Sequence, residues 1–325
     1  MINQISNEIK EKILSFPIED KLIFNNKLIS LDKTNFSPIS ETVSLKTVAF
    51  IDGGQAEIIS AGNFCLSFIR IFAQVFQDNV KKESFKHEFY LLTTAAWKND
   101  ELKDGLLKEE LFYESKLFPV LGEKLIDETN LFISSNDATI KSGVERAAIS
   151  KVTNVARRFS ELSLAAKLQE KVDYVILDGN LDPTYKNETK FTSRLNGNVS
   201  ALAKTSSLFT VSGNSPVVLL NKLNSDSCWS YFVDGTTYFV KLHQKAKHVF
   251  RFDGNKEALP ILMQNSHDAI FLGYPYGLIH TDKFARVSNE ERNALRMQFL
   301  LRKENKEILE YLSTSNAHEV LDKLG

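Results

Sequence analysis

The chain has 325 residues, 43% of them hydrophobic and a quarter charged, with a net charge of −1. Such a chain can bury a large core without staples. Its balance counts against a coating protein held on nucleic acid by overall charge, though not against an enzyme with a local basic groove and bound cations.

The first segment, "MINQISNEIKEKIL", predicts an amphipathic helix over 4–15, with Ile5, Ile9, Ile13 and Leu14 on one face. It lacks the apolar core of a signal peptide. No apolar run approaches about 18 residues, so no membrane span is expected. The two cysteines, Cys65 and Cys228, sit in no paired metal spacing, which fits a reducing cytoplasm rather than a disulfide or zinc framework.

Residues 46–51 read as a buried strand that stops at Asp52-Gly53-Gly54. The apolar stretches 56–60 and 64–72 read as strands of a meander, or as a strand leading into a helix. From 78 to 140 the chain is rich in lysine and glutamate, with "KNDELKDGLLKEELFYESK" at its centre. This reads as a peripheral helical insertion with a solvated charged face. Residues 141–170 predict a long helix, with Val144, Ala148, Val152, Val155, Phe159 and Leu162 at helical spacing.

A strand follows over 173–177, ending at Asp178-Gly179, and then the polar loop "GNLDPTYKNE". Further strands are expected over 216–220 ("PVVLL"), 229–233, 237–242, 248–252 and 269–273. Asp234-Gly235, between two alternating runs, predicts a hairpin turn. Ser288 with Glu291 forms a capping box that opens a C-terminal helix. Residues 1–325 thus read as one domain, with a helical extension over 1–44, the insertion over 78–140 and the terminal helix over 288–325.

Two acids, Asp52 and Asp178, follow strands that are nearly all apolar, as expected of strands covered on both faces. The carboxyl end of a buried strand is where open sheets place their sites; the alternative is that both acids merely cap loops. Glu161 lies on the helix before Asp178. Nine helical residues descend about 14 Å and the strand climbs about 17 Å. If helix and strand pack antiparallel, Glu161 returns to the level of Asp178. The alternative for Glu161 is a surface ion pair with Arg157 or Arg158. Clustered carboxylates repel, by about 4 kcal/mol for two charges 4 Å apart at an effective dielectric of 20. A shared site therefore calls for a proton or a cation, and oxygen donors suit Mg²⁺ or Mn²⁺. The chemistry implied is phosphodiester cleavage or another phosphoryl transfer.

The segments "AFIDGG", "ARRFSELSLAAKL", "VILDGNL", "VSALAKTS", "YFVKL" and "FLGYPYGLIHTDKFARV" occur in the order found in NurA-type nucleases, which this chain resembles over roughly 45–290. The resemblance implies a mixed α/β fold with a ribonuclease-H-like central sheet, flanked by helices and carrying the helical insertion. It implies a deoxyribonuclease with about two Mn²⁺ (or Mg²⁺) ions held by Asp52, Glu161, Asp178 and Asp282. Tyr274 matches the tyrosine of the family's "YP" segment, and Lys204 a lysine that reaches a phosphate. It also implies 5′–3′ exonuclease and single-strand endonuclease action in DNA end resection, and a homodimer docked on the HerA hexameric ATPase. Two departures stand out. Gly54 replaces the usual serine of the first motif, and Thr281 replaces an alanine, which leaves His280 as an alternative to Asp282.

Lys241, His243, Lys245 and Lys247 would line one face if their stretch stays extended, either as a DNA-backbone row or as a lysine-guarded edge. Lys190 and Arg194 flank the loop after Asp178 and could meet a phosphate; ordinary surface charge is the alternative. Two rival functions remain. "IDGG" on the first strand also suits an actin-like or sugar-kinase-like ATP-binding protein, for which "LDGNLDP" is a poor second phosphate loop. The departures at Gly54 and Thr281 suit a catalytically degenerate adaptor of the translocase.

Overall fold

A computed structural model describes residues 1–17, 20–40, 45–101, 107–225, 227–269 and 271–315. The chain divides into two compact units. The first comprises Met1–Lys46, Ile176–Leu181 and Gly197–Tyr276; the second comprises Thr47–Val175, Asp182–Asn196 and Gly277–Gly325.

Helix α1 (Ile2–Ser15) opens the first unit, as its periodicity predicts, with Ile5, Ile9, Ile13 and Leu14 exposed. Strands β1 (Lys21–Phe24) and β2 (Lys27–Ser30) form a hairpin, and β3 (Phe36–Pro38) follows. The second unit is built on β4 (Thr47–Ala61), β5 (Phe64–Gln77), β6 (Val80–Glu101) and β7 (Leu107–Leu121), antiparallel in chain order, with the short β8 (Ile133–Ser134) beside β7. Helix α2 (Lys151–Leu168) packs on β4 and β5. Strand β9 (Tyr174–Asp178) carries the chain from one unit to the other.

The short α3 (Thr189–Thr192) belongs to the second unit. Strand β10 (Val199–Ala203), helix α4 (Pro216–Leu223), strands β11 (Trp229–Asp234), β12 (Thr237–Lys241) and β13 (Phe250–Asp253), and helix α5 (Leu259–Gln264) return to the first. There the strand order is β3-β11-β12-β13-β10-β9. Helices α6 (Tyr276–Ala285), α7 (Asn289–Leu300) and α8 (Lys306–Ser315) complete the chain. An antiparallel meander, a helix, and then two further strands give the expected mixed α/β fold its ribonuclease-H-like order.

Several local expectations are corrected. Residues 78–140 are not a helical insertion. Their charged residues are good helix formers, but His87, Phe89, Leu91 and Thr93 are buried at every second position, and β6 and β7 pair from Glu88–Leu121 to Glu101–Leu107. A half-buried, paired strand overrides helix propensity. Residues 102–106 lie outside the described residues.

"PVVLL" is helix, not strand. Pro216 stands at its first turn, where a missing N–H costs nothing, and Leu219 and Leu220 turn inward. Residues 269 and 271–273 form a bend and turn, not a strand; Gly273 has φ +90°, and residue 270 lies outside the described residues. The long helix starts at Lys151 rather than 141: Gly143 has φ +67° and Val144 is exposed. The Asp234-Gly235 hairpin forms as predicted, with φ +57° at Gly235. Residues 316–325 of the predicted terminal helix lie outside the described residues.

Strand β4 does not stop at Asp52. It runs on through Gly53 and Gly54, in register with Ile71 and Arg70. Both glycines are there for close approach. A Cβ on Gly54 would collide with the backbone of Ala285, 2.6 Å from its carbonyl carbon. This is the physical reason no serine fits there. Gly54→Ala is expected to destabilise the fold by about 1–3 kcal/mol, read as a lowered urea midpoint at unchanged m-value.

The approach at Gly54 is reinforced by charge. Arg70, buried on β5, pairs with Glu88 (2.6 Å) and Glu291 and donates to the Arg286 carbonyl (3.1 Å). The N-terminal half of the predicted cap is present: the Ser288 hydroxyl accepts the Glu291 N–H (3.1 Å), while the Glu291 carboxylate serves Arg70. Burial opposes the charge on Glu88, but hydrogen bonds from Lys86 and Arg70 outweigh it and hold its carboxyl below the ordinary 4.5. Burial pushes the neighbouring His87 imidazole below 6.5. Both groups bind more protons when unfolded, so stability falls as the solution is acidified, from about pH 6.5 for His87 and from about pH 4.5 for Glu88. His87→Gln is expected to flatten the upper part of that fall, measured as Tm against pH.

Each unit has its own core. In the first, Trp229, Tyr231 and Phe239 pack with Leu22, Leu219 and Leu220. In the second, Ile58, Ile59, Leu66 and Phe68 pack against Leu295, Phe299 and Leu312 of α7 and α8.

Candidate active site

In the second unit two buried carboxylates each border Gly53, Asp52 at its N–H and Glu161 in the space beside its Cα. Asp52 (7% exposed) accepts the Gly53 N–H at 2.7 Å through Oδ1. Helix α2 brings Thr153, Arg157 and Glu161 to the strands at four-residue intervals, one face of a helix. Thr153 shares a hydrogen bond with Ser67 (2.8 Å), and Arg157 Nη1 donates to the Gly53 carbonyl at 2.8 Å and to Glu161 Oε1 at 3.1 Å. A Cβ on Gly53 would strike Glu161 Oε1 and lie 2.8 Å from Arg157 Cγ. The Glu161 carboxylate thus occupies space that only glycine leaves open. The ion pair with Arg157 is the one considered from sequence, but it is not a surface pair: Glu161 is 4% exposed. An unpaired carboxylate in such a place would cost several kcal/mol, roughly.

Helix α6 carries the two candidates for the last ligand. His280 is enclosed by Phe72, Phe76 and Phe284, with Lys81 Nζ 3.4 Å from Nδ1. Burial, with Lys81 and Lys283 nearby, holds its imidazole below 6.5. Asp282 is a third exposed and pairs with Arg286 at 2.6 Å. Thr281 is fully buried, and its hydroxyl donates to the Gly277 carbonyl (3.1 Å), which accounts for a polar residue where the resemblance has alanine.

In the first unit, three predicted residues come together. Asp178 ends β9, and Lys204 follows β10, its neighbour in the sheet. Lys204 Nζ lies 2.6 Å from Asp178 Oδ2 and over the Tyr274 ring, 5.6 Å from its centroid. The Tyr274 hydroxyl is 3.5 Å from Asp178 Oδ1.

Other predicted contacts are not assembled. The cationic row fails because the chain turns after β12: Ala246 N–H bonds the His243 carbonyl, and Lys245 N–H bonds His243 Nδ1. Lys241 is 2% exposed and bonds the Ser225 carbonyl, so it presents no charge to a ligand surface. Lys190 is exposed on α3, and Arg194 lies over the Phe191 ring (5.2 Å).

One residue escaped the sequence reading. Glu188 is fully buried; it pairs with Arg158 Nε (2.8 Å) and accepts the N–H groups of Thr184 (2.8 Å) and Tyr185 (2.9 Å). It pins the loop after Asp182 to α2 and sets Tyr185 among Arg157, Arg158 and Glu161, where burial pushes the phenol above its ordinary value. No local signal marks it, because Arg158 is thirty positions away.

Among the described residues, no three His, Cys, Asp or Glu side chains form a group placed to hold a metal ion. The carboxylates bordering Gly53 nevertheless have the right donor chemistry for one: both are buried, both offer oxygen, and Glu161 lies in space that a Cβ would fill.

No family model matches the chain, and no curated protein matches it in sequence. Among solved structures, the NurA nuclease from Sulfolobus solfataricus is similar with a TM-score of 0.51 at 13% identity, covering 90% of this chain and 91% of that one. Endonuclease V from Ciona intestinalis, in complex with inosine-containing DNA, has a TM-score of 0.39 at 10% identity, over 74% of this chain and 84% of its own. The catalytic domain of human endonuclease V has 0.36 at 12%, over 79% and 85%. This chain has a NurA-type fold.

Proposed function

From that fold we propose that the chain is a divalent-metal-dependent deoxyribonuclease, a phosphodiester hydrolase. The observation that carries the reading is that two buried carboxylates, Asp52 and Glu161, both border Gly53. These two would hold Mn²⁺ or Mg²⁺; Asp178 and Asp282 are proposed as further ligands on the sequence resemblance. The enclosure of His280 in an aromatic cage favours Asp282. When bound, such ions activate water and neutralise charge on the phosphate. Arg157 fixes the Glu161 carboxylate and supplies positive charge beside it. Lys204 is an exposed ammonium paired with Asp178, able to exchange that carboxylate for a phosphate oxygen. Tyr274 orients the Asp178–Lys204 pair.

The finer assignments rest on the resemblance: 5′–3′ exonuclease and single-strand endonuclease action, a homodimer, docking on a HerA-type ATPase and end resection; a cytoplasmic location rests on the cysteine usage. A silent adaptor is the second reading. It is favoured by the ion pairs that already neutralise Glu161 and Asp178. Incubating the purified chain with end-labelled single-stranded DNA and Mn²⁺ separates the two. Cleavage that stops with a chelator supports the nuclease; intact DNA at every Mn²⁺ concentration supports the adaptor.

A further inference from the structure

Beside Asp178 the first unit holds a cavity of about 390 Å³. Lys204 forms part of its wall, with Lys222 from α4 and Lys247 and His248 from the loop before β13. Val217, Val218 and Phe250 supply the apolar surface. No carboxylate is among the described residues that line it. Lys222 and Lys247 are exposed and, among the described residues, make no ion pair.

The wall is organised. Asn221 Nδ2 donates to the Lys247 carbonyl (3.4 Å), tying α4 to the loop. The His248 ring is stacked on Phe271 at 5.1 Å, and Phe250 packs on Tyr274 at 5.1 Å. Lys204 is already paired with Asp178, but Lys222 and Lys247 add two ammonium groups to the same cavity, and these repel unless an anion joins them. The chain as a whole is slightly acidic, so this concentration is local. Lysines beside stacked rings are the pairing that tracks a single-stranded nucleic acid, where cations meet phosphates and rings meet bases. The volume is at the lower end of small-ligand pockets, the size of one nucleotide.

We propose that this cavity is a backbone subsite for the DNA strand. It takes the phosphate of a nucleotide flanking the one at Asp178, with Lys222 and Lys247 as its contacts and Lys204 as the bridge to Asp178. The inference rests on the nuclease reading and adds to it the path of the substrate.

The test is fluorescence anisotropy with labelled oligothymidine in a chelator, so that binding is read without cleavage. Lys222→Gln/Lys247→Gln is expected to raise Kd on the order of tenfold at low salt and to flatten the plot of log K against log salt by about 0.7 per lost contact. With Mn²⁺ the same variant should show a raised KM and a kcat within about twofold of the parent. Lys33→Gln/Lys256→Gln, with the same change of charge at exposed lysines outside the cavity, should leave Kd and slope unchanged; thermal melts check folding of both. Unchanged binding and slope in the cavity variant, while the parent binds and cleaves, would overturn the subsite alone. Equal losses in both variants would do the same. A parent that neither binds nor cleaves DNA would overturn the nuclease reading and the subsite with it.

Discussion

Asp52→Asn and Glu161→Gln are each expected to slow Mn²⁺-dependent DNA cleavage by at least about a hundredfold, the scale on which disturbing a metal site acts. Each change keeps the shape of the side chain and removes its charge. In Glu161→Gln the Arg157 guanidinium remains within reach of an amide oxygen, so the helix–strand contact should survive. The loss should therefore appear in rate rather than in folding, with thermal melts near those of the parent. Mn²⁺ binding followed by electron paramagnetic resonance should weaken in parallel. Asp178→Asn tests the ligand proposed from resemblance in the same assay. Full activity in both Asp52→Asn and Asp178→Asn rules out the assigned site, whatever the fold.

Glu188→Ala is expected to have the largest effect on stability, about 3–5 kcal/mol, because it leaves a largely buried Arg158 and two backbone N–H groups without their carboxylate. For a chain of this size that is a fall in Tm on the order of 10 °C. Glu188→Gln should cost less, since its carbonyl oxygen can still accept from Thr184 and Tyr185. Urea unfolding of both variants orders them; an alanine variant as stable as the parent would refute the anchoring role. Because the same carboxylate sets Tyr185 beside Arg157 and Glu161, the glutamine variant should also show a lower cleavage rate while folded.

Much of the architecture was legible before coordinates. The hairpin at Asp234-Gly235, the strands over 229–233 and 237–242, and the amphipathic α1 follow from alternation and periodicity, which are local. The misread segments share a cause. "PVVLL" is too short for periodicity to tell a strand from a helix, and the charged residues of 98–101 and 107–116 have helix propensity that only cross-strand pairing overrules. The candidate site was legible as residue types, and Asp178, Lys204 and Tyr274 do come together. Glu188 was not, because its partners are set by how α2 meets a distant loop.

By itself the sequence determined the kind of chemistry on offer: acids after apolar strands, a glutamate on a helix face, and no overall basic charge to hold DNA. Pattern and composition act over a few residues, so they could name these groups. Only the tertiary structure decided their surroundings. It carried β4 straight through Gly53-Gly54, because α2 and the Ala285 corner press too close for any Cβ. It buried Lys241 and left Lys222 and Lys247 around a cavity lined by no carboxylate among the described residues. Such outcomes depend on which distant segments share a volume, and that is set by packing rather than by any local signal.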